Sequence, residues 1–111
     1  MAELNATLDQ QPRQTTIHIS GYLSGDHAES LETAFAELGG AEKVLLDFDE
    51  GCFINSAGLA VLFDLLLPRR DQGTDFRIAH PAPHFRKVFD IVGLSKDVAI
   101  FESAGTAVSD W

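Results

Sequence analysis

Hydrophobic positions recur along this chain with two different periods, and each switch of period marks an element. From Thr15 to Ser20, Ile17 and Ile19 alternate with Thr16, His18 and Ser20, the pattern of a half-buried strand. Leu4, Ala6 and Leu8 alternate ahead of it. The polar, proline-containing Gln10-Gln11-Pro12-Arg13 suits a turn joining the two strands as an antiparallel pair. After Gly21-Tyr22-Leu23-Ser24-Gly25, Asp26 with Glu29 reads as a capping box. Ala28, Leu31, Phe35 and Leu38 then form a helical stripe that ends at Gly39-Gly40. Lys43 to Phe48 is almost continuously apolar, as expected of a strand covered on both faces of a sheet. Leu59, Leu62, Phe63 and Leu66 share one helical face and predict a helix from about Ser56 to Leu67, which Pro68 should end or kink.

The charged run Arg69 to Gly73 leads to another alternating strand at Phe76 and Ile78. His80-Pro81-Ala82-Pro83 opens a helix carrying Phe85, Val88 and Phe89 and closing at Gly93. Val98 to Phe101 is the last strand, and Ser103 to Trp111 a short, weak helix, since Gly105, Thr106 and Val108 are poor helix formers. The order β-β-α-β-α-β-α-β implies an α/β fold: one domain over residues 1–111, with a mixed, mostly parallel sheet of four to five strands and helices packed on it.

Composition narrows the function. With 45% hydrophobic and 23% charged residues, the 111-residue chain can bury a modest core. Its 8 basic against 17 acidic residues give a formal charge of −9, which argues against direct nucleic-acid binding and points to a protein partner. No stretch reaches the ~20 apolar residues of a membrane span, and the N-terminus lacks the pattern of a signal peptide, so a cytoplasmic site is expected. The lone Cys52 has no internal disulfide partner and reads as a packed residue.

The candidate chemistry lies in Phe53-Ile54-Asn55-Ser56-Ala57-Gly58-Leu59-Ala60-Val61, where a buried strand should turn into an amphipathic helix. Asn55 and Ser56 are both good N-cap residues. Unpaired backbone N–H groups at such a terminus favour an anion, including a phosphate esterified to the serine itself. A purely structural cap role for Ser56 is the alternative. Gly58 would allow close approach of the helix terminus to a partner, relieve packing against the strand, or both, and Leu59 and Phe63 could serve core or interface.

In three blocks the chain resembles STAS domains of the bacterial anti-sigma factor antagonist type, from about Thr15 to Phe101. They are Ile17-His18-Ile19-Ser20-Gly21-Tyr22-Leu23, Asn55-Ser56-Ala57-Gly58-Leu59 and Val88-Phe89-Asp90-Ile91-Val92-Gly93-Leu94. The resemblance implies a non-enzymatic partner switch without cofactor or metal. Unphosphorylated, such an antagonist binds an anti-sigma factor that is also a serine kinase of the ATPase-kinase type. Phosphorylation, here at Ser56, releases it, and a serine phosphatase restores it. The partner surface would comprise Asn55, Ser56, Ala57, Gly58 and Leu59. Asn55 stands where the family usually has Asp.

Two other readings compete. One is a constitutive STAS subunit docking on a lipid-transport ATPase or a stress-signalling complex, with Ser56 only structural. The other is a small enzyme or nucleotide-binding domain using Asp47 and Asp49, beside Glu50, at a strand end where Mg²⁺ or phosphate would bind. No Walker-type loop accompanies those carboxylates, and Pro81 and Pro83 keep His80 and His84 from converging on a metal. His18 and His27 read as structural or surface residues, and Arg86 and Lys87 as a solvated face. Tyr22, Leu23 and Trp111 are expected on an exposed surface suited to self-association.

Overall fold

Five strands form the main sheet of the computed structural model, in the spatial order β1 (Asn5–Gln10), β2 (Thr15–Ser20), β4 (Lys43–Phe48), β6 (Asp75–Ala79) and β7 (Ala99–Phe101). The structure describes residues 4–10, 14–24, 29–48, 53–79, 98–101 and 104–109, with the side chains of Phe53, Ser56 and Ala104 outside the description. β1 and β2 pair antiparallel, with Leu8 opposite Ile17 and Ala6 opposite Ile19. β4, β6 and β7 add in parallel, so the sheet is mixed with a single antiparallel edge among the described strands.

Strand alternation splits the core in two. On one face Ile17, Ile19, Val44, Leu46, Phe48, Phe76 and Ile78 are buried beneath Leu31 and Phe35 of helix α1 (Glu29–Glu37) and Leu59, Leu62 and Leu66 of α2 (Ser56–Asp71). Phe35 stacks on Phe76 with ring centroids 5.9 Å apart, joining α1 to the middle of the sheet. On the other face Leu45 and Ala79 pack with Ala107 of the short helix α3 (Ala104–Val108). Arg77 holds α3 down: its guanidinium donates to the Ala107 carbonyl at 2.6 Å and lies over the Phe101 ring. β4 is therefore covered on both faces, as its unbroken apolar run requires.

Helix α2 departs from expectation at its C-terminal end. Pro68 does not stop it; the helix runs on to Asp71, with Pro68 inside its last turns. A proline at that depth removes one intrahelical bond and costs on the order of 3 kcal/mol in a helix interior. Arg69 provides the offset through tertiary contact, donating to the carbonyls of Phe35 at 2.7 Å and Gly39 at 3.1 Å. Phe35 lies in the last turn of α1 and Gly39 just beyond its end, where carbonyls have acceptor capacity that the helix does not fill. Each charge-assisted bond of this kind contributes up to about 1.5–3 kcal/mol, less where solvent reaches it. Leu66, fully buried one turn earlier, anchors the same segment.

A second, two-stranded sheet was not foreseen: β3 (Tyr22–Leu23) pairs in parallel with β5 (Phe53–Ile54). Gly21 makes it possible, since its φ of +94° lets the chain leave β2 and turn at once into β3. The helix expected around Phe85, Val88 and Phe89, and with it the Val88 to Leu94 block, lies outside the described residues.

Candidate functional site

The junction of β5 and α2 is built by four contacts around one short peptide. Asn55 is extended, with φ −95° and ψ 177°, and its Oδ1 accepts the Gly58 N–H at 2.7 Å, which makes it the N-cap of α2. Its backbone N–H donates to the Leu23 carbonyl at 3.0 Å, continuing the β3–β5 ladder into the cap. Its carbonyl takes the first helical bond from the Leu59 N–H at 2.9 Å.

Gly58 makes the fourth contact. A β-carbon placed on it would lie 2.6 Å from the Leu23 carbonyl carbon, 2.9 Å from Leu23 Cγ and nearer still to the carbonyl oxygen. No side chain fits there. Gly58 lets the start of α2 approach closely the strand β3, which pairs with β5. Leu23 is 0% exposed beneath this contact, which corrects its expected place on the surface: a residue seated between two strands and a helix terminus has no route to solvent.

The expected site residues thus divide by position. Ser56 is the first residue of α2, and the capping role belongs to Asn55. Asn55 and Ala57 are exposed, while Gly58 and Leu59 turn inward, Leu59 joining the main core at 8% exposure. Phe63 is half-buried against that core. The first turn of α2 carries no acidic residue of its own to complement its positive end. Sequence reasoning missed Tyr22 as a neighbour of this junction. The signal available was Gly21, a turn residue placed between two short apolar runs.

Of the carboxylates weighed as a phosphoryl-transfer site, Asp47 is described: its Oδ2 lies 3.4 Å from His18 Nδ1 on the adjacent strand, where the two residues are in register. Asp49, Glu50, Cys52, His27, His80, His84, Arg86, Lys87 and Trp111 lie outside the described residues. Among the described residues, no group of three or more His, Cys, Asp or Glu comes together to hold a metal ion, and no helix is long and apolar enough to cross a membrane.

A five-stranded sheet of this order, with α1 and α2 on one face and α3 on the other, is the architecture of a STAS domain. The chain belongs to the family described as Mlab, STAS domain, whose model matches residues 6–102. Among solved structures it is similar to an anti-sigma factor antagonist from Mycobacterium paratuberculosis, with 18% identity, a TM-score of 0.82, and coverage of 96% of this chain and 92% of that one. It is also similar to the Bacillus cell fate determinant SpoIIAA in its phosphorylated form, with 16% identity, a TM-score of 0.71 and coverage of 94% and 96%. SpoIIAA in its unphosphorylated form gives 15% identity, a TM-score of 0.69 and coverage of 95% and 94%. At these identities the likeness is one of fold. No curated protein matches the sequence.

Proposed function

We propose that this domain is an anti-sigma factor antagonist in a bacterial partner-switching pathway. Unphosphorylated, it binds a cytoplasmic anti-sigma factor that is also a serine kinase; phosphorylated on Ser56, it is released, and a serine phosphatase resets it. The surface that binds is Asn55, Ser56 and Ala57, seated from beneath by Gly58 and Leu59. The domain performs no chemistry and needs neither cofactor nor metal for this role.

The observation that carries this reading is the division of labour at the helix start. Asn55 supplies the cap, so the cap does not account for Ser56, which follows it as the first residue of α2. A phosphate there would add about −1.5 to −2 charges against the positive end of a helix whose first turn holds no acidic residue. The domain tolerates that charge. A partner surface closed over it does not, because a desolvated phosphate facing apolar or acidic groups costs several kcal/mol, at about tenfold in affinity per 1.4 kcal/mol. Further support comes from SpoIIAA, which shares this fold in both its phosphorylated and unphosphorylated forms.

The test is binding of wild type, Ser56→Ala and Ser56→Glu to the candidate anti-sigma kinase, with mass spectrometry after incubation with that kinase and ATP. Ser56→Ala should retain affinity and Ser56→Glu lose it. Equal affinity for all three, or phosphorylation that spares Ser56, refutes the switch.

Membership of the Mlab STAS family, together with Asn55 in place of the usual Asp, favours a second reading: a constitutive docking subunit of a lipid-transport ATPase. Recovery of a transporter ATPase in a pull-down, with Ser56→Glu binding as well as wild type, would select it.

A further inference from the structure

We infer that Tyr22 is the aromatic anchor of the partner surface, entering a neutral, apolar pocket on the protein that docks over the start of α2. This deepens the switching reading and rests on it for the location of the contact. Among the described residues Tyr22 is the one large hydrophobic side chain that is exposed, at 37%. Its place is set by the unforeseen second sheet: it pairs with Phe53, Leu23 pairs with Ile54, and the Leu23 carbonyl receives the Asn55 N–H. The contact between Gly58 and Leu23 clamps α2 to the same strand. Tyr22 and the exposed Asn55 and Ala57 therefore stand on one small rigid frame.

The charge pattern says what that frame faces. In a chain with 23% charged residues and a net charge of −9, the eleven residues from Phe53 to Phe63 carry no charge, and neither do Ile19 to Gly25. These two segments meet at the β3–β5 pair. Two uncharged runs thus meet beside an exposed aromatic residue, on a strongly acidic protein. Depletion of charge with enrichment of Tyr distinguishes the buried centre of a protein interface from ordinary surface. A partner pocket lined with charge would find no counter-charge on these two runs and would stay desolvated and unpaired against them, so the surface that matches them is apolar and neutral. Tyr fills such a pocket with a large ring at the entropic cost of two side-chain torsions. A phosphate introduced into a neutral contact is also the modification such a contact accommodates least.

The test uses the full chain with a photo-crosslinking amino acid introduced in turn at positions 22, 57 and, as a control on the exposed face of α1, 33. Adducts formed in cells are identified by mass spectrometry, and the captured protein is purified and titrated against wild type, Tyr22→Ala and Tyr22→Phe. Positions 22 and 57 should capture the same protein and position 33 should not. Tyr22→Ala should weaken binding by about tenfold or more, with Tyr22→Phe within about threefold of wild type and both melting near it. No adduct at position 22, an adduct consisting of a second copy of this chain, or Tyr22→Ala binding within about twofold of wild type overturns the anchor. Adducts at 22 and 57 that persist undiminished when Ser56→Glu is added sink the phospho-switch and leave the anchor standing.

Discussion

Asn55 and Gly58 act on the same turn of helix by opposite means, one by supplying an atom and the other by lacking one. Asn55→Ala removes the acceptor of the Gly58 N–H and should cost about 1 kcal/mol in denaturant unfolding. Asn55→Asp keeps an acceptor and adds a negative charge at the positive helix end, so it should unfold at equal or higher denaturant concentration than wild type. For Gly58→Ala two effects compete. Alanine is worth up to about 1 kcal/mol more than glycine within a helix, but its β-carbon would collide with the Leu23 backbone, and forced overpacking typically costs about 1–3 kcal/mol. A backbone carbonyl cannot rotate out of the way as a side chain does, so the collision wins. Gly58→Ala should be destabilised, and amide exchange at Asn55 should quicken. A Gly58→Ala variant as stable as wild type would show that the contact yields.

At the scale of the element, α2 shows local propensity overruled by tertiary contact. Leu67-Pro68 reads as a stop, and a helix tested alone would end there. In the folded chain Arg69 bridges to the end of α1, and α2 continues to Asp71. Arg69→Ala should therefore fray both helix ends together. Amide exchange at Gln72, Gly73 and Thr74 and at Leu38 and Ala41 should accelerate, with a loss of about 1–2 kcal/mol for a bond pair partly open to solvent. Faster exchange in the α2 group alone would deny the coupling.

Whole-molecule behaviour is governed by burial and by net charge. Leu46 is fully buried in the central strand, and Leu46→Ala should cost about 2–5 kcal/mol, a large part of the roughly 5–15 kcal/mol that holds a domain folded. With 17 acidic residues against 8 basic ones, the compact state repels itself, so the melting temperature should rise as sodium chloride is raised from about 10 to 200 mM. A melting temperature that falls over that range would mean that specific ion pairs outweigh the repulsion.

The main sheet, both long helices and the α2 junction were legible in the chain because periodicity reports which face of an element is buried, and burial supplies most of the folding free energy. Asn55 and Gly58 were legible as residue types for the same junction, since capping and close approach make local demands. What the tertiary structure alone decided is which of two adjacent cap formers does the capping, that α2 outlasts Pro68, and that Leu23 is sealed inward while Tyr22 remains outside. Each depends on a partner distant in sequence: Leu23 for Asn55 and Gly58, Phe35 and Gly39 for Arg69, Phe53 for Tyr22. A pattern of periods records how much of a residue is covered. It does not record which distant residue does the covering, and at this junction that is what sets the exposed surface.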